Sequence, residues 1–377
     1  MKILLVGEYS RLHNSLKEGL VTLGHEVTII GTGDDFKNFP IDLKLHKKYQ
    51  KGFSKKLKIA LFKLLGIDLN SLSIKKQFFL FKKQLINYDV VQLINESALG
   101  IQPKYEIEII RFLKNNNNKL FLLSCGADSI SVQYAFDKIP TYSILTPLFE
   151  GKVSKFDFTY ILKYITPPYK KLHDFIFKTI DGVIASDLDY HLPLKEYPNY
   201  LGLIPNAINT EKLPFSKLII EEKVVIFHGI NRGNYFKKGN DIFEKALTIV
   251  SKTHSEKIEV ITVESVPYLE YITKYDSAHI LLDQVYSYDQ GYNALEAMAK
   301  GKVVFTGAET EFLKHYNLTE NEVAINTTPN AQEIADKLIW LIDNPAKIIE
   351  IGVNANTFIV QEHHSIDVAK NYLIFWK

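Results

Sequence analysis

The sequence predicts an α/β protein built from two Rossmann-like domains whose parallel sheets face a central cleft. Three observations carry this. Short apolar strand patterns alternate with helical stretches in two successive runs, starting at Lys2 and at Lys223; such alternation means parallel sheets covered by helices. A chain of 377 residues, 46% apolar, is long enough for two cores rather than one. A turn cluster, Ile204-Pro205-Asn206-Ala207-Ile208-Asn209, separates the runs.

The first run opens with the strand Lys2-Ile3-Leu4-Leu5-Val6, a loop from Gly7 to Arg11, and a helix through Leu16, Leu20 and Leu23 that Gly24 caps. Glu26 to Ile30 is the next strand, followed by strands at Val90 to Ile94, Leu120 to Leu123 and Gly182 to Ala185. Helices are expected between them, for example Tyr105 to Leu113 and Leu172 to Thr179. In the second run Lys223 to Phe227, Ile258 to Val263, His279 to Leu282, Lys302 to Phe305 and Glu322 to Ile325 read as strands. Asp241 to Val250, Tyr268 to Tyr275 and Ala331 to Ile342 read as helices, as does a short stretch after the loop Tyr286 to Gly291 that Gly301 stops. Residues 1–208 form the expected first domain, to which a C-terminal helix in 360–377 returns; 209–359 form the second.

Net charge is +2, which gives no case for a nucleic-acid partner. A single cysteine, Cys125, excludes an internal disulfide framework and fits a reducing compartment. The N-terminus lacks a signal-peptide pattern, and no apolar run reaches the ~18 residues that span a bilayer. A cytoplasmic protein is the expectation. One region departs from charge balance: Lys44, Lys47, Lys48, Lys51, Lys55, Lys56, Lys58, Lys63, Lys75, Lys76, Lys82 and Lys83 face only Asp42 and Asp68. The same region carries helical apolar stripes, Phe53-Leu57-Leu61-Leu64 and Ile74-Phe78-Phe81-Leu85. Such helices lie on an anionic membrane surface, here the inner face of the cell membrane, or else turn their stripes to the core and leave the lysines solvated. The sequence leaves both readings open.

Ligands of open α/β sheets bind beyond the carboxyl ends of strands, so the loops after strands hold the candidate chemistry. In HGINRGNYFKKGNDIF, 228–243, Arg232 and Lys238 flank a turn in which Gly233 and Gly239 let backbone approach a ligand. Cations beside a helix N-terminus suit a diphosphate; the competing reading is a solvated basic loop. In YSYDQGYNALEAMAKGKVV, 286–304, a glycine-bearing loop runs into a helix whose one acid, Glu296, sits among small and apolar residues. A carboxylate there accepts hydrogen bonds from the two hydroxyls of a ribose; otherwise it is an exposed helix glutamate.

RGNYFKKG and LEAMAKGKVV together resemble the C-terminal domain of retaining GT-B glycosyltransferases, the family-four group. PNAIN at 205–209 resembles that group's domain junction, and VGEYSRLHNSLKEGLVTLGHEV its first strand, loop and helix. The resemblance implies a nucleotide-sugar donor, UDP- or GDP-linked, on the second domain, and a glycan or lipid-linked acceptor on the first. It implies that Arg232 and Lys238 neutralise the leaving diphosphate, that Glu296 binds the ribose, and that Gln290, Gly291, Tyr292 and Asn293 line the donor. The loop at Glu264, after its strand, is the expected base contact. No cofactor and no metal are expected: Asp187-Leu188-Asp189 has metal-motif spacing but reads as a helix start.

The pattern departs from the family at three places. The first acid of the helix motif is replaced by Tyr288, with Asp289 beside it. The family's N-terminal-domain histidine is missing from LLSCGADS, where Asp128 or the backbone at Gly126 stands in, or Asp128 merely caps a helix. The first loop has Glu8-Tyr9-Ser10 after Gly7, with Arg11 and His13 near enough to touch acceptor or phosphate, or to be surface side chains. A non-catalytic nucleotide-sugar binder and a nucleotide-sugar epimerase are the alternatives. A dinucleotide-dependent dehydrogenase is disfavoured, since GEYSRLH is not a glycine-rich fingerprint.

Overall fold

The computed structural model describes residues 1–33, 39–264 and 273–377. Seven parallel strands form the first sheet: β1 (Lys2–Val6), β2 (Glu26–Gly31), β3 (Leu43–Lys44), β4 (Val90–Leu93), β5 (Lys119–Ser124), β6 (Gly182–Ala185) and β7 (Tyr200–Leu203), in the order β3-β2-β1-β4-β5-β6-β7. Five parallel strands form the second: β8 (Val224–Ile230), β9 (Ile258–Glu264), β10 (Ile280–Leu282), β11 (Val303–Thr306) and β12 (Ile325–Asn326), ordered β12-β11-β10-β8-β9. Both orders reverse at the first strand of the run. The reversal lies between β1 and β4 in one sheet and between β8 and β10 in the other. At such a switch point the flanking loops part and leave a crevice.

The strands read as apolar runs because helices cover both faces. In β1, Ile3 to Val6 are all buried. In the second sheet alternate residues serve opposite cores. Ile226 and Phe305 pack with Phe243, Ala246 and Leu338, whereas Phe227 and Val304 pack with Ala294, Leu295, Met298 and Phe358. The small side chains noted around Glu296 are therefore a packing surface for the long helix Pro345–Glu362. That helix leads back to the first sheet. Ile208 pairs with His364, and the final helix, Ser365–Phe375, buries Val368, Ala369 and Tyr372, with Trp376, in the core of β1 and helix Leu12–Thr22.

Several expectations need adjustment. β3 escapes the pattern, β7 is the strand that the turn cluster at 204–209 follows, and the strand expected from Glu322 is only Ile325–Asn326. The expected helix from Leu172 starts at Pro167 and ends at Phe177. Residues 268–272 of another expected helix lie outside the described residues. The lysine-rich region holds two helices, and they differ. Leu69–Leu80 turns Ile74 and Phe78 into the core. Gly52–Leu65 buries none of its residues, and Phe53 and Leu64 are 81% and 79% exposed. The core-facing reading therefore fails for the first stripe and holds for the second.

Candidate functional site

The loops after β8 and β10 flank the switch point of the second sheet, and they are the two loops singled out above. After β8, Asn231 accepts from the Gly233 N–H at 2.9 Å and starts a turn that carries Arg232. Helix Tyr235–Lys238 ends at Gly239, whose φ of 74° lies in the left-handed region. A β-carbon at Gly239 would sit 2.6 Å from the Val285 Cβ, so only glycine lets this loop lie against the other. The Val285 N–H donates to the Lys238 carbonyl at 2.9 Å and zips the two loops together. Across them the Lys238 ammonium meets Asp283 Oδ1 at 2.8 Å, and Asn293 donates to the same oxygen at 3.3 Å. Asp283 was not legible as a site residue; it is almost wholly buried, and its Oδ2 has no partner among the described residues. Gly291, extended at φ −76° and ψ 163°, opens helix Tyr292–Ala299 with no side chain capping its start.

Arg232 takes a different course. It is 54% exposed and forms a two-pronged pair with Glu264, both bonds 2.6 Å, while stacking on Tyr235. The structure thus joins the expected phosphate ligand to the expected base contact. The rest of that base loop, 265–267, lies outside the described residues.

The first sheet faces this apparatus with its own strand-end loops. Gly7, with φ 91°, leaves β1 where a β-carbon would strike Ile94 and the Ala98 carbonyl. His13 is fully buried and donates from Nδ1 to the Gly7 carbonyl at 2.8 Å, with Gln92 donating to its other nitrogen. Burial pushes its pKa down to about 4, against the pull of that carbonyl, so the ring is neutral. The expectations of ligand contact and of a surface position both give way here: His13 holds the loop from beneath. Arg11, also in a left-handed conformation, pairs with Glu18 at 3.3 Å. Burial opposes its charge, but Tyr292, Glu18 and Glu296 outweigh that and raise its pKa. Arg11 of the first half thus senses the charge of Glu296 in the second. Tyr292 turns its hydroxyl away from the cleft loops, to Ser15 and the Ala207 carbonyl. Asp128 caps helix Ser129–Phe136, accepting from the Ser131 N–H at 2.7 Å and from the Ser124 hydroxyl.

Between the halves lies a cavity of 180 Å³, lined by Gly126, Ser131, Tyr134 and Tyr142 on one side and by Lys237, Gln284, Tyr286, Tyr288, Gln290 and Gly291 on the other. A larger hollow of 560 Å³ runs along helix Asn240–His254 and β9, lined by Glu244, Thr248 and Val260; it is open to solvent and borders none of the loop after β10. Tyr288, in the position of the missing acid, accepts from the Thr141 N–H at 3.0 Å and packs on Tyr142. Asp289 points the other way, to the Leu188 N–H at 3.0 Å and the Gln290 N–H at 2.7 Å. Gln290 donates to the Gly307 carbonyl. Asp187 caps helix Leu188–Leu194, and Asp189 accepts from the Ser287 hydroxyl at 2.6 Å and the Tyr288 N–H at 3.1 Å. Burial raises the pKa of all three aspartates, and that of Asp289 reaches about 7.

Two parallel α/β halves that meet at their strand-end loops define the GT-B class of folds. Residues 237–374 match the family model described as Glycosyl transferase-like. Among solved structures, sucrose-phosphate synthase from Thermosynechococcus elongatus superposes with a TM-score of 0.62 at 14% identity, covering 100% of this chain and 98% of that one. HepE from Anabaena, solved in complex with UDP and glucose, gives 0.56 at 13% identity over 99% and 98%. TarM from S. aureus, a point mutant solved with Fondaparinux, alpha-GlcNAc-glycerol and UDP, gives 0.54 at 14% identity over 81% of this chain and 59% of that one. No curated protein matches the sequence.

Proposed function

We propose that the protein is a retaining glycosyltransferase that moves a sugar from a UDP- or GDP-linked donor to a glycan or lipid-linked acceptor without a metal. The observation that carries the reading is the cleft itself. Lysine-bearing and glycine-bearing loops converge there on the uncapped start of helix Tyr292–Ala299. Positive charge and free N–H groups at that point favour a diphosphate and stabilise it further as it leaves. Glu296, one turn in, suits the ribose hydroxyls. The C1–O bond to the diphosphate breaks, the acceptor oxygen bonds to C1 on the same face, and its proton passes to the departing phosphate oxygen. No protein nucleophile is required. Tyr288 offers the donor sugar a hydroxyl where the family has an acid, and Asp128 and Arg11 stand on the acceptor side.

The division into 1–208 with 360–377 and 209–359 is part of the proposal, as is a cytoplasmic protein held at the inner face of the membrane through the lysines of 44–83. No described helix is long and apolar enough to cross a membrane. The presence of UDP with HepE and TarM makes uridine diphosphate the first nucleotide to test. Calorimetric titration with UDP, GDP and their sugars, on wild type and Glu296→Ala, provides the test. Selective binding of one nucleotide that the substitution weakens supports the donor site. Binding indifferent to Glu296 removes that assignment. The engagement of Tyr288 with Thr141 and Tyr142 favours a second reading, a binding protein that never turns over. Nucleotide release that depends on added acceptor separates the two.

A further inference from the structure

Three cations stand within one short stretch after β8, at Arg232, Lys237 and Lys238, and their surroundings differ. Arg232 is exposed and doubly bonded to Glu264. Lys238 is tied to buried Asp283 at 2.8 Å. Lys237 lines the cavity between the halves and has no carboxylate partner among the described residues. The group near its ammonium is the ring of Tyr160, from the other half, 6.0 Å from Nζ to the ring centre. A half-buried cation without a counter-charge is costly to keep. Gln284, Gln290 and Gly291 line the same cavity, and Gly291 opens helix Tyr292–Ala299. The positive end of that helix and Lys237 thus border one space, and no side chain caps the helix. Asp187 and Asp189 also border the cavity, but each is engaged locally, one as a helix cap and one on Ser287 and Tyr288.

We propose that Lys237, and not Arg232, is the side-chain cation that receives the diphosphate of the donor, with Lys238 and Asp283 fixing the loop that presents it. The inference rests on the nucleotide-sugar reading above and names the residue that meets the phosphates. Adjacent lysines on a helical turn point about 100° apart. Lys238 cannot leave Asp283 without stranding a buried carboxylate, whereas Lys237 gives up only a distant contact with the Tyr160 ring. The state of the free protein agrees: burial, and then the charge of Lys238, bring the Lys237 pKa down to about 8. The negative charge of a bound diphosphate outweighs both effects and raises that pKa again.

The full chain is titrated calorimetrically with inorganic pyrophosphate, UDP and GDP, as wild type, Lys237→Gln, Lys237→Arg and Arg232→Gln, each first shown to melt cooperatively. Lys237→Gln is expected to lose at least about tenfold in affinity for whichever of these bind, the loss of one charge-assisted hydrogen bond. Lys237→Arg and Arg232→Gln are expected to stay within about threefold. A second readout uses pH. Wild-type affinity, taken relative to Lys237→Arg to cancel the ligand's own titration, falls between about pH 7 and about pH 9 as the ammonium deprotonates, because arginine stays charged. Equal binding by Lys237→Gln and wild type overturns the proposal. So does a loss in Arg232→Gln as large as that in Lys237→Gln, or a wild type that binds none of the three. Failure of the underlying reading looks different: pyrophosphate is held through Lys237 while UDP and GDP gain nothing from their nucleosides.

Discussion

Lys238 and Arg232 carry the same charge in the same loop, yet the fold gives them different partners, and stability should register it. Removing Lys238 leaves the nearly inaccessible Asp283 without its cation, with only Asn293 among the described residues donating to it. Lys238→Met should cost about 3 kcal/mol in denaturant unfolding, and Asp283→Leu added to it should recover part of the loss. Arg232→Gln, whose pair with Glu264 lies in solvent, should leave the unfolding curve unchanged. Equal effects of the two substitutions would sink this account. The loop was legible in the sequence because glycines and cations after a strand have a physical meaning at this place in an α/β fold. The direction of each cation was not. Asp283 lies 45 residues from Lys238, and only the pairing of β8 with β10 brings it near. His13 misled for the same reason: its burial is set by Gln92 and by the turn at Gly7, and the helix it belongs to gives no sign of either.

At the scale of elements, apolar runs gave away the central strands, since parallel strands buried on both faces carry their own signal. The edge strands of the first sheet do not. β3 has two residues, and β7 has no buried residue, so each is defined by the neighbour it pairs with. Helical periodicity likewise finds a stripe but not what the stripe faces. Helix Gly52–Leu65 shows this, with Phe53, Phe62, Leu64 and Leu65 all more than half exposed beside Lys51, Lys55, Lys56, Lys58 and Lys63. An apolar face ringed by lysine fits an anionic bilayer surface, at about 1 kcal/mol per lysine near the headgroups. Vesicles containing phosphatidylserine should therefore sediment the protein, and purely zwitterionic vesicles should not. Replacing the five lysines by Gln should abolish sedimentation, and Phe53→Ser with Leu64→Ser should weaken it with every lysine intact. The melting temperature should hold in all variants, because the helix buries none of its residues. Unchanged sedimentation of the lysine variant would end the membrane assignment.

Across the whole molecule the two halves share apolar contacts, such as Tyr142 and Leu188 in the cores of the second half, and a set of polar ones. Asp189 and Asp289 reach across in opposite directions, each carboxylate taking a backbone N–H from the other half. Lys152 reaches from the first half to Asp241, and Tyr142 to Glu309. The three aspartates at this seam give stability a pH dependence with a definite sign. Burial raises the Asp289 pKa to about 7, against the bonds from Leu188 and Gln290, from an ordinary value near ~3.9. Between those two values the folded protein holds more protons than the unfolded chain, so its stability falls as pH rises. The contribution is complete below about pH 4 and lost on passing about pH 7; Asp187 and Asp189, also raised, act in the same direction. Melting curves at about pH 5, 6, 7 and 8 on wild type and Asp289→Asn test this. Asn cannot ionise and keeps one acceptor for the two N–H groups, so it should start lower at about pH 5 and lose less by about pH 8. Parallel pH profiles would show that Asp289 does not titrate in this range and contributes to the seam through its hydrogen bonds alone.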